Sequence, residues 1–229
     1  MSVVGGPRRS TIFSNTKSIA LDGVDDYVAV SSSSGLNFTG DFTLSVWIKT
    51  NSIGNNQYII DTSTSGAIGN GYSFRIKTDG KIRFWSYHAT QTGIDSTTAL
   101  SAGSWYHIAC VHTSTQNKIY INGSLDATLN WSAGHSTSNT TNLRIGGSQI
   151  LAGTFNGKID EVAFFNSDQS TNVSDIYNGG LPNNLTSLSP ISWYRCGDGD
   201  TSPTLTDNGS ESNDGTMANF TTFSTDVPT

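Results

Sequence analysis

The chain has 229 residues and a formal net charge of −6, and only 13% of its residues are charged. Ser, Thr and Asn number 33, 29 and 20, more than a third of the chain, and 24 residues are Gly. This composition favours strands and turns over long helices, and the length fits one large all-β domain. No apolar run is long enough to span a membrane as a helix. The 12 basic residues form no stripe that would bind the phosphates of a nucleic acid.

The N-terminal residues lack the apolar core of a Sec signal peptide, and no such core follows Arg8-Arg9 either. Two cysteines do not make a disulfide framework, and the apolar run IACV around Cys110 favours a buried free thiol. We therefore expect a chain made in a reducing cytoplasm. Residues 1–16 are expected to form a flexible N-terminal arm, and residues 17–229 a single domain.

Alternation of apolar and polar residues predicts strands along most of this domain, at 18–21, 27–30, 42–49, 58–61, 72–77, 81–85, 105–112, 118–121, 142–145 and 159–165. Asp79-Gly80 and Asn122-Gly123 each separate two alternating segments, which predicts two β-hairpins. Many short strands separated by turns indicate a sandwich or a barrel. The residues expected in its core include Phe42, Leu44, Val46, Trp105, Ile119, Ile121, Ile159 and Val162.

One segment, 157–164, breaks the alternation, because Ile159 has odd parity whereas Val162 and Phe164 have even parity. A β-bulge near Asp160 would bring all three side chains to the core. One short helix is predicted near 172–178, with Asn172 as its N-cap and Gly179-Gly180 as its end.

Four ordered motifs resemble those of laminin-G-like domains in the concanavalin-lectin superfamily: SIALDGVDDYVAV, DFTLSVWIKT, SWYHIACVHTSTQNKIYINGSL and FNGKIDEVAFFN. The resemblance covers residues 17–180 and implies an all-β jelly-roll sandwich of two antiparallel sheets. The short helix ending in Tyr177-Asn178-Gly179-Gly180, followed by a Trp strand at Trp193, is similar to the pentraxin branch.

The C-terminal residues 190–228 resemble the segment that usually opens a laminin-G-like domain, placed at the end of the chain as in structural proteins of marine bacteriophages. We expect residues 190–196 to pair beside the strand GKIDEVAFF, on their own domain or on a neighbouring subunit. Residues 190–229 would then supply a closing strand and turns.

The carboxylates give no catalytic pattern. Glycosidases of the superfamily use paired glutamates about two residues apart on one strand, whereas the two glutamates of this chain are Glu161 and Glu211. The four histidines show no metal-binding spacing. We therefore expect a protein that is not an enzyme.

Calcium is a candidate cofactor. The pentraxin resemblance implies a double calcium site on an acidic loop, but residues 147–153 contain no carboxylate. Two single-ion alternatives remain, and the competing interpretation is that the aspartates serve turns and caps. These alternatives are Asp22, Asp25 and Asp26 beside Asp160, or the pair Asp198 and Asp200.

Arg83, Trp85 and Tyr87 share the polar face of one predicted strand, and His88 follows them. Exposed aromatic side chains beside hydrogen-bond donors can stack on a sugar ring, so these four residues are the candidate glycan site. The competing interpretation is that the aromatic side chains pack beneath a neighbouring loop.

Two functional hypotheses follow. The first is a non-enzymatic phage virion protein, made in the host cytoplasm, that decorates a capsid or belongs to a tail or fibre. Its partners would be copies of itself, other virion proteins and host or environmental glycans. The second is a glycan-binding lectin or adhesin module of a cellular protein, at the cell surface or outside the cell.

Overall fold

The computed structural model describes residues 13–31, 34–62, 71–86, 92–131, 142–149 and 153–229. The strands are β1 (Ser18–Asp22), β2 (Tyr27–Val30), β3 (Phe42–Thr50), β4 (Gln57–Asp61), β5 (Tyr72–Ile76), β6 (Lys81–Ser86), β7 (Thr92–Ala99), β8 (Tyr106–His112), β9 (Gln116–Ile121), β10 (Ser124–Asn130), β11 (Leu143–Ile145), β12 (Asn156–Phe165), β13 (Ser192–Tyr194), β14 (Thr204–Leu205), β15 (Gly215–Ala218) and β16 (Phe223–Ser224). The helices are α1 (Val173–Tyr177) and the 3₁₀ helices Ser34–Leu36, Asn178–Gly180 and Thr186–Leu188. None of the helices in the described ranges has the length and apolar character that a bilayer crossing requires.

Within the described ranges the strands form two antiparallel sheets of eight strands each. Sheet A has the order β10-β9-β8-β3-β12-β1-β16, with β13 also paired to β12, and sheet B has the order β14-β15-β2-β11-β4-β5-β6-β7. Buried side chains from both sheets form one continuous core, with Leu44 and Ile159 from sheet A beside Phe74 and Phe84 from sheet B. The predicted all-β sandwich with one short helix is confirmed.

Most of the predicted core is confirmed, with one error. Six of the eight residues are fully shielded from solvent, namely Phe42, Leu44, Val46, Ile119, Ile159 and Val162. Ile121 is partly exposed and packs against the same core. The prediction for Trp105 is wrong, because this residue precedes β8, is half-buried and donates its Nε1 hydrogen to Asp226 Oδ1 at 3.0 Å. Because the acceptor of this indole N–H lies outside the core, the hydrogen bond holds the Trp105 ring outside the core as well.

Both predicted hairpins and the predicted bulge are present. β5 and β6 pair around Gly80 (φ +80°), and β9 and β10 pair around Asn122 and Gly123 (φ +49° and +77°). The register of β12 against β3 shifts between Asp160 and Ala163, where Glu161 adopts a φ of +47°. The extra residue brings Ile159, Val162 and Phe164 into the core together.

The bulge lies where two strands share one edge of β12. β1 pairs with residues 156–159 of β12, and β13 of the same chain pairs with residues 162–164. Between them, Trp193 Nε1 donates to Glu161 Oε2 at 2.6 Å, and Arg195 Nε donates to Glu161 Oε1 at 3.2 Å. Asn15, which the sequence assigns to an N-terminal arm, donates from Nδ2 to Asp160 Oδ2 at 2.8 Å. The segment around Asn15 and the segment around Trp193 and Arg195 therefore meet at the bulge.

The helix α1 lies over sheet A and buries Val173 and Ile176. Asn172 occupies the N-cap position, but its side chain does not cap the helix and instead donates from Nδ2 to Gln169 Oε1 at 2.7 Å. The helix ends at Asn178, whose φ of +50° is left-handed.

Candidate functional site

A cavity of about 470 Å³ lies at the end of β4 and β5, beside two connecting segments. The wall contains Ser52, Asn55 and Asn56 from the segment that follows β3. It also contains Gly153 and Thr154, which lead into β12, and Asn156, the first residue of β12. Its side chains are mostly amides and hydroxyls, together with the ring of Tyr58. Among the described lining residues, Arg75 is the one charged side chain. We call this cavity the Tyr58 pocket.

A buried amide joins the segments that form the pocket. Gln57 is 2% exposed, and its Oε1 accepts hydrogen bonds from Asn156 N at 2.9 Å and Thr50 Oγ1 at 3.2 Å. Its Nε2 donates to Ser52 O at 2.6 Å. These three bonds connect the end of β3, Ser52 and the start of β12, and a buried polar network of this kind holds the geometry around it. The pocket wall is therefore preformed.

Gly153 allows the two segments to approach each other. Its φ is +80°, and a Cβ at this position would lie 2.6 Å from Asn56 O and 3.2 Å from Tyr58 Cδ2. Tyr58 N donates to Gly153 O at 2.8 Å, so the same residue also places the aromatic ring. A side chain is excluded here by both the backbone conformation and the space.

A row of polar side chains runs from the pocket across sheet B. Tyr58, Arg75, Arg83 and Asp95 are directly paired across β4, β5, β6 and β7. Arg75 Nη1 donates to Tyr58 Oη at 2.6 Å. Arg83 donates to both carboxylate oxygens of Asp95, from Nε at 2.5 Å and from Nη2 at 2.8 Å. This hydrogen bonding raises the pKa of Arg83 and lowers that of Asp95, so the pair stays ionised.

Trp85 lies between the two arginines. Its ring centre is 5.4 Å from Arg75 Cζ and 5.8 Å from Arg83 Cζ. The ring covers Gly93 of β7, where a Cβ would lie 2.0 Å from Trp85 Nε1. Of the four residues of the predicted glycan site, Arg83 and Trp85 therefore lie together on the outer face of sheet B, beside the pocket. Tyr87 and His88 lie outside the described residues.

Sequence reasoning missed Tyr58, Arg75 and the pocket itself. The available signal was parity, since Arg75 lies directly opposite Arg83 across the hairpin around Asp79-Gly80 and therefore on the same face as Trp85. The contribution of residues 153–156 had no such signal, because they follow Tyr58 by almost a hundred positions.

The first aspartate set is only partly brought together. One carboxylate oxygen each of Asp22, Asp25 and Asp26 lies within 4.8 Å of the others. Burial raises the pKa of Asp26, and the negative charges of Asp22 and Asp25 raise it further, whereas a hydrogen bond from Asp22 N opposes them. Asp160 does not join this set, since it lies four residues along β12 from Asn156, the pairing partner of Asp22.

The remaining candidate aspartates accept hydrogen bonds from the protein itself. Asp160 is fully buried and also accepts from Glu161 N at 2.9 Å. Asp198 accepts from Thr16 N at 2.8 Å, and Asp200 accepts from Gly197 N and Thr206 N, both at 2.8 Å. The contacts of Asp200 are those of a turn, whereas Asp160 and Asp198 hold residues 15 and 16 against the domain.

The family is decided by the match of residues 22–172 to the model of the concanavalin A-like lectin/glucanases superfamily. The chain belongs to this superfamily. The match covers about two thirds of the 229 residues. It includes every described residue that lines the Tyr58 pocket. No curated protein sequence matches the chain.

Three solved structures of the superfamily fold illustrate the similarity. A candidate carbohydrate-binding protein from Bacteroides ovatus is 21% identical with a TM-score of 0.72, and the match covers 94% of this chain and 62% of that protein. The CBM40 domain of the Ruminococcus gnavus IT-sialidase, bound to α2,3-sialyllactose, is 18% identical with a TM-score of 0.60, covering 70% of this chain and 96% of that domain. Domain 4 of AbnA, a GH43 extracellular arabinanase from Geobacillus stearothermophilus, in complex with arabinotriose, is 19% identical with a TM-score of 0.55, covering 70% and 76%. At these identities the likeness shows the fold.

Proposed function

We propose that this chain is a non-enzymatic glycan-binding module and that the Tyr58 pocket is its binding site. The observation that carries the proposal is the combination of a half-buried aromatic ring with several amide side chains in a preformed cavity of about 470 Å³. An aromatic face packs against the apolar face of a sugar ring, and amides bind its hydroxyl groups. The volume lies within the range of small-molecule sites, about 300–1,000 Å³.

The similar structures support this proposal through their ligands. The CBM40 domain was solved with sialyllactose and AbnA domain 4 with arabinotriose, and both are modules of larger enzymes. A non-catalytic role also suits Asp160 and Glu161, because both carboxylates are buried and bonded to the protein itself. Neither group is placed to attack or protonate a glycosidic bond.

The test is a glycan array followed by calorimetry on the best ligand, in calcium and in a chelator. We expect Tyr58→Ala to weaken binding by about tenfold or more. The matched control is Tyr27→Ala, because Tyr27 also lies on sheet B and stacks on an arginine, Arg144 at 4.2 Å, but does not line the pocket. Absence of any glycan ligand would refute the function.

A third variant, Trp85→Ala, decides between the pocket and the site predicted from the sequence. If Trp85→Ala abolishes binding while Tyr58→Ala does not, the centre of the site lies at Trp85 and Arg83. If only Tyr58→Ala does so, the pocket is the centre. If glycan binding requires calcium, Asp22, Asp25 and Asp26 are the residues to test as its ligands.

For the biological setting we propose a virion protein in which this module decorates a capsid or forms part of a tail or fibre, together with copies of itself. The support is the resemblance of residues 190–228 to laminin-G-like domains of marine phage structural proteins. A lectin or adhesin module of a cellular protein is the alternative. Mass spectrometry of purified particles and the identity of the neighbouring genes distinguish the two.

A further inference from the structure

We infer that the Tyr58 pocket selects glycans that carry a carboxylate group and that Arg75 is the residue that binds this carboxylate. The inference rests on the proposed glycan-binding function and adds the chemical class of the ligand. It comes from the surroundings of Arg75.

Arg75 is a cation without a carboxylate partner among the described residues. Two nearby cations do have carboxylate partners, since Arg83 binds Asp95, and Lys77 binds both Asp95 and Asp79. On the other side of the molecule Arg195 binds Glu161, and Asp226 binds two lysines. Arg75 forms no comparable ion pair within the described ranges, although the chain as a whole has a net charge of −6.

The register of the sheet increases the local positive charge. Arg75 lies directly opposite Arg83, and like charges opposite each other are unfavourable unless they are compensated. Asp95 compensates Arg83 but is already shared with Lys77. Between residues 72 and 99 the chain has four cationic and two acidic side chains, so this segment carries a net charge of +2 within a chain of −6.

The guanidinium group is also held in position. Its Cζ lies 5.2 Å from the ring centre of Tyr58 and 5.4 Å from that of Trp85, and Nη1 is bound to Tyr58 Oη. The Nε hydrogen is shielded from solvent and has no acceptor among the described residues. Because Nε is not accessible, an anion in the pocket would contact the terminal Nη atoms of this uncompensated cation.

The shape of the guanidinium determines which anion fits best. Its planar set of donors matches the two oxygens of a carboxylate, and such charge-assisted pairs are stronger than bonds to sugar hydroxyls. No acidic side chain lines the described part of the pocket to repel an anion. Tyr58 and the amides remain available for the neutral part of the same sugar. A uronic or a sialic acid meets both requirements.

The experiment uses the whole chain and a glycan array of matched pairs. These are trigalacturonate with its methyl ester, sialyllactose with lactose, and lactose with its sulfate ester. The variants are Arg75→Gln, which removes the charge, and Arg75→Lys, which keeps the charge but loses the planar donors. Lys81→Gln is the matched control, because Lys81 lies on the adjacent strand β6 and outside the pocket.

We expect a carboxylated member to bind at least about tenfold more tightly than its neutral partner. Arg75→Gln should lose this preference, Arg75→Lys should keep part of it, and Lys81→Gln should stay within about twofold of the wild type. If a variant does not fold, the Nε–H resonance of Arg75 in the wild-type protein gives the answer, since it should shift when the acidic sugar is added.

Three results would overturn the inference but leave glycan binding in the pocket intact: equal binding of neutral partners, an unaffected Arg75→Gln variant, or binding of the sulfated member alone. If no member of the array binds, the proposed function fails as well.

Discussion

Replacing Gly153 by Ala tests whether the close approach of residues 153–156 to β4 builds the pocket. The φ of +80° is left-handed, which costs a residue with a Cβ about 1–2 kcal/mol. The new Cβ would also lie 2.6 Å from Asn56 O, so the backbone must move, at a further cost of about 1–3 kcal/mol. Gly153→Ala should therefore lower the free energy of unfolding by about 2–5 kcal/mol.

Gly103→Ala separates the two contributions. Gly103 has nearly the same φ, +83°, but nothing lies within 4 Å of a Cβ at this position. The free energy of unfolding of Gly103→Ala should therefore fall only by the cost of the left-handed conformation, about 1–2 kcal/mol. Urea unfolding at equilibrium measures both variants, and amide chemical shifts of Asn56 and Tyr58 report the pocket. Equal losses of stability in the two variants, with unchanged shifts in Gly153→Ala, would refute the argument that this glycine shapes the site.

Four further outcomes are expected. Leu44→Ala should lower the free energy of unfolding by about 2–5 kcal/mol, because Leu44 is fully buried between the sheets; an unchanged denaturant midpoint would contradict this. Burial raises the pKa of Glu161 to about 7, against the opposing charge of Arg195, so the folded state holds a proton that the unfolded chain releases above about pH 4.5. Burial also raises the pKa of Asp160 beside it, so the stability that this carboxyl pair contributes is complete below about pH 4.5 and should fall as the pH rises through 7. Glu161→Gln should reduce this slope in pH-dependent urea unfolding. A chain ending at Gly180 should aggregate, because β12, β2 and β1 would lose β13, β15 and β16; a soluble monomer with an unchanged melting temperature would refute this. Finally, no reducing sugar should be released from β-glucans, agar or carrageenan, nor sialic acid from sialosides, above a buffer control.

The sequence predicted most of the core, the hairpins and the bulge correctly, because each depends on a local pattern that corresponds to one kind of structure. Alternation placed Phe42, Leu44 and Val46 in the core, and the two Asx-Gly turns placed the hairpins. The bulge was also readable, since only an extra residue near Asp160 reconciles Ile159 with Val162. In each case the determining residues are close together in the chain.

Trp105 shows where the pattern fails. Both faces of the adjacent strand β8 are buried, because Ile108 and Cys110 face the core while Ala109 and Val111 pack with Tyr120 and Val173. A strand that is buried on both sides has no polar positions to reveal its phase. The acceptor for the Trp105 indole is Asp226, more than a hundred residues away, which no local pattern indicates.

The candidate site was predictable only in part for the same reason. Arg83 and Trp85 stand out on one strand, whereas the pocket needs Tyr58, Arg75 and residues 153–156 from separate parts of the chain. The sequence indicated the face of the sheet, and the fold indicated the cavity at its end.

The pairing of β1 with β16 has a consequence for how the chain folds. Ser18 pairs with Ser224, 206 positions later, and Ile19 pairs with both Ile159 and Phe223. During synthesis, β1 can therefore complete its pairing only after residue 224 has left the ribosome. Contacts of such long range slow folding, because the entropy of closing the loop is lost before the contacts form. We expect this sandwich to complete its folding on a timescale of milliseconds to seconds or longer.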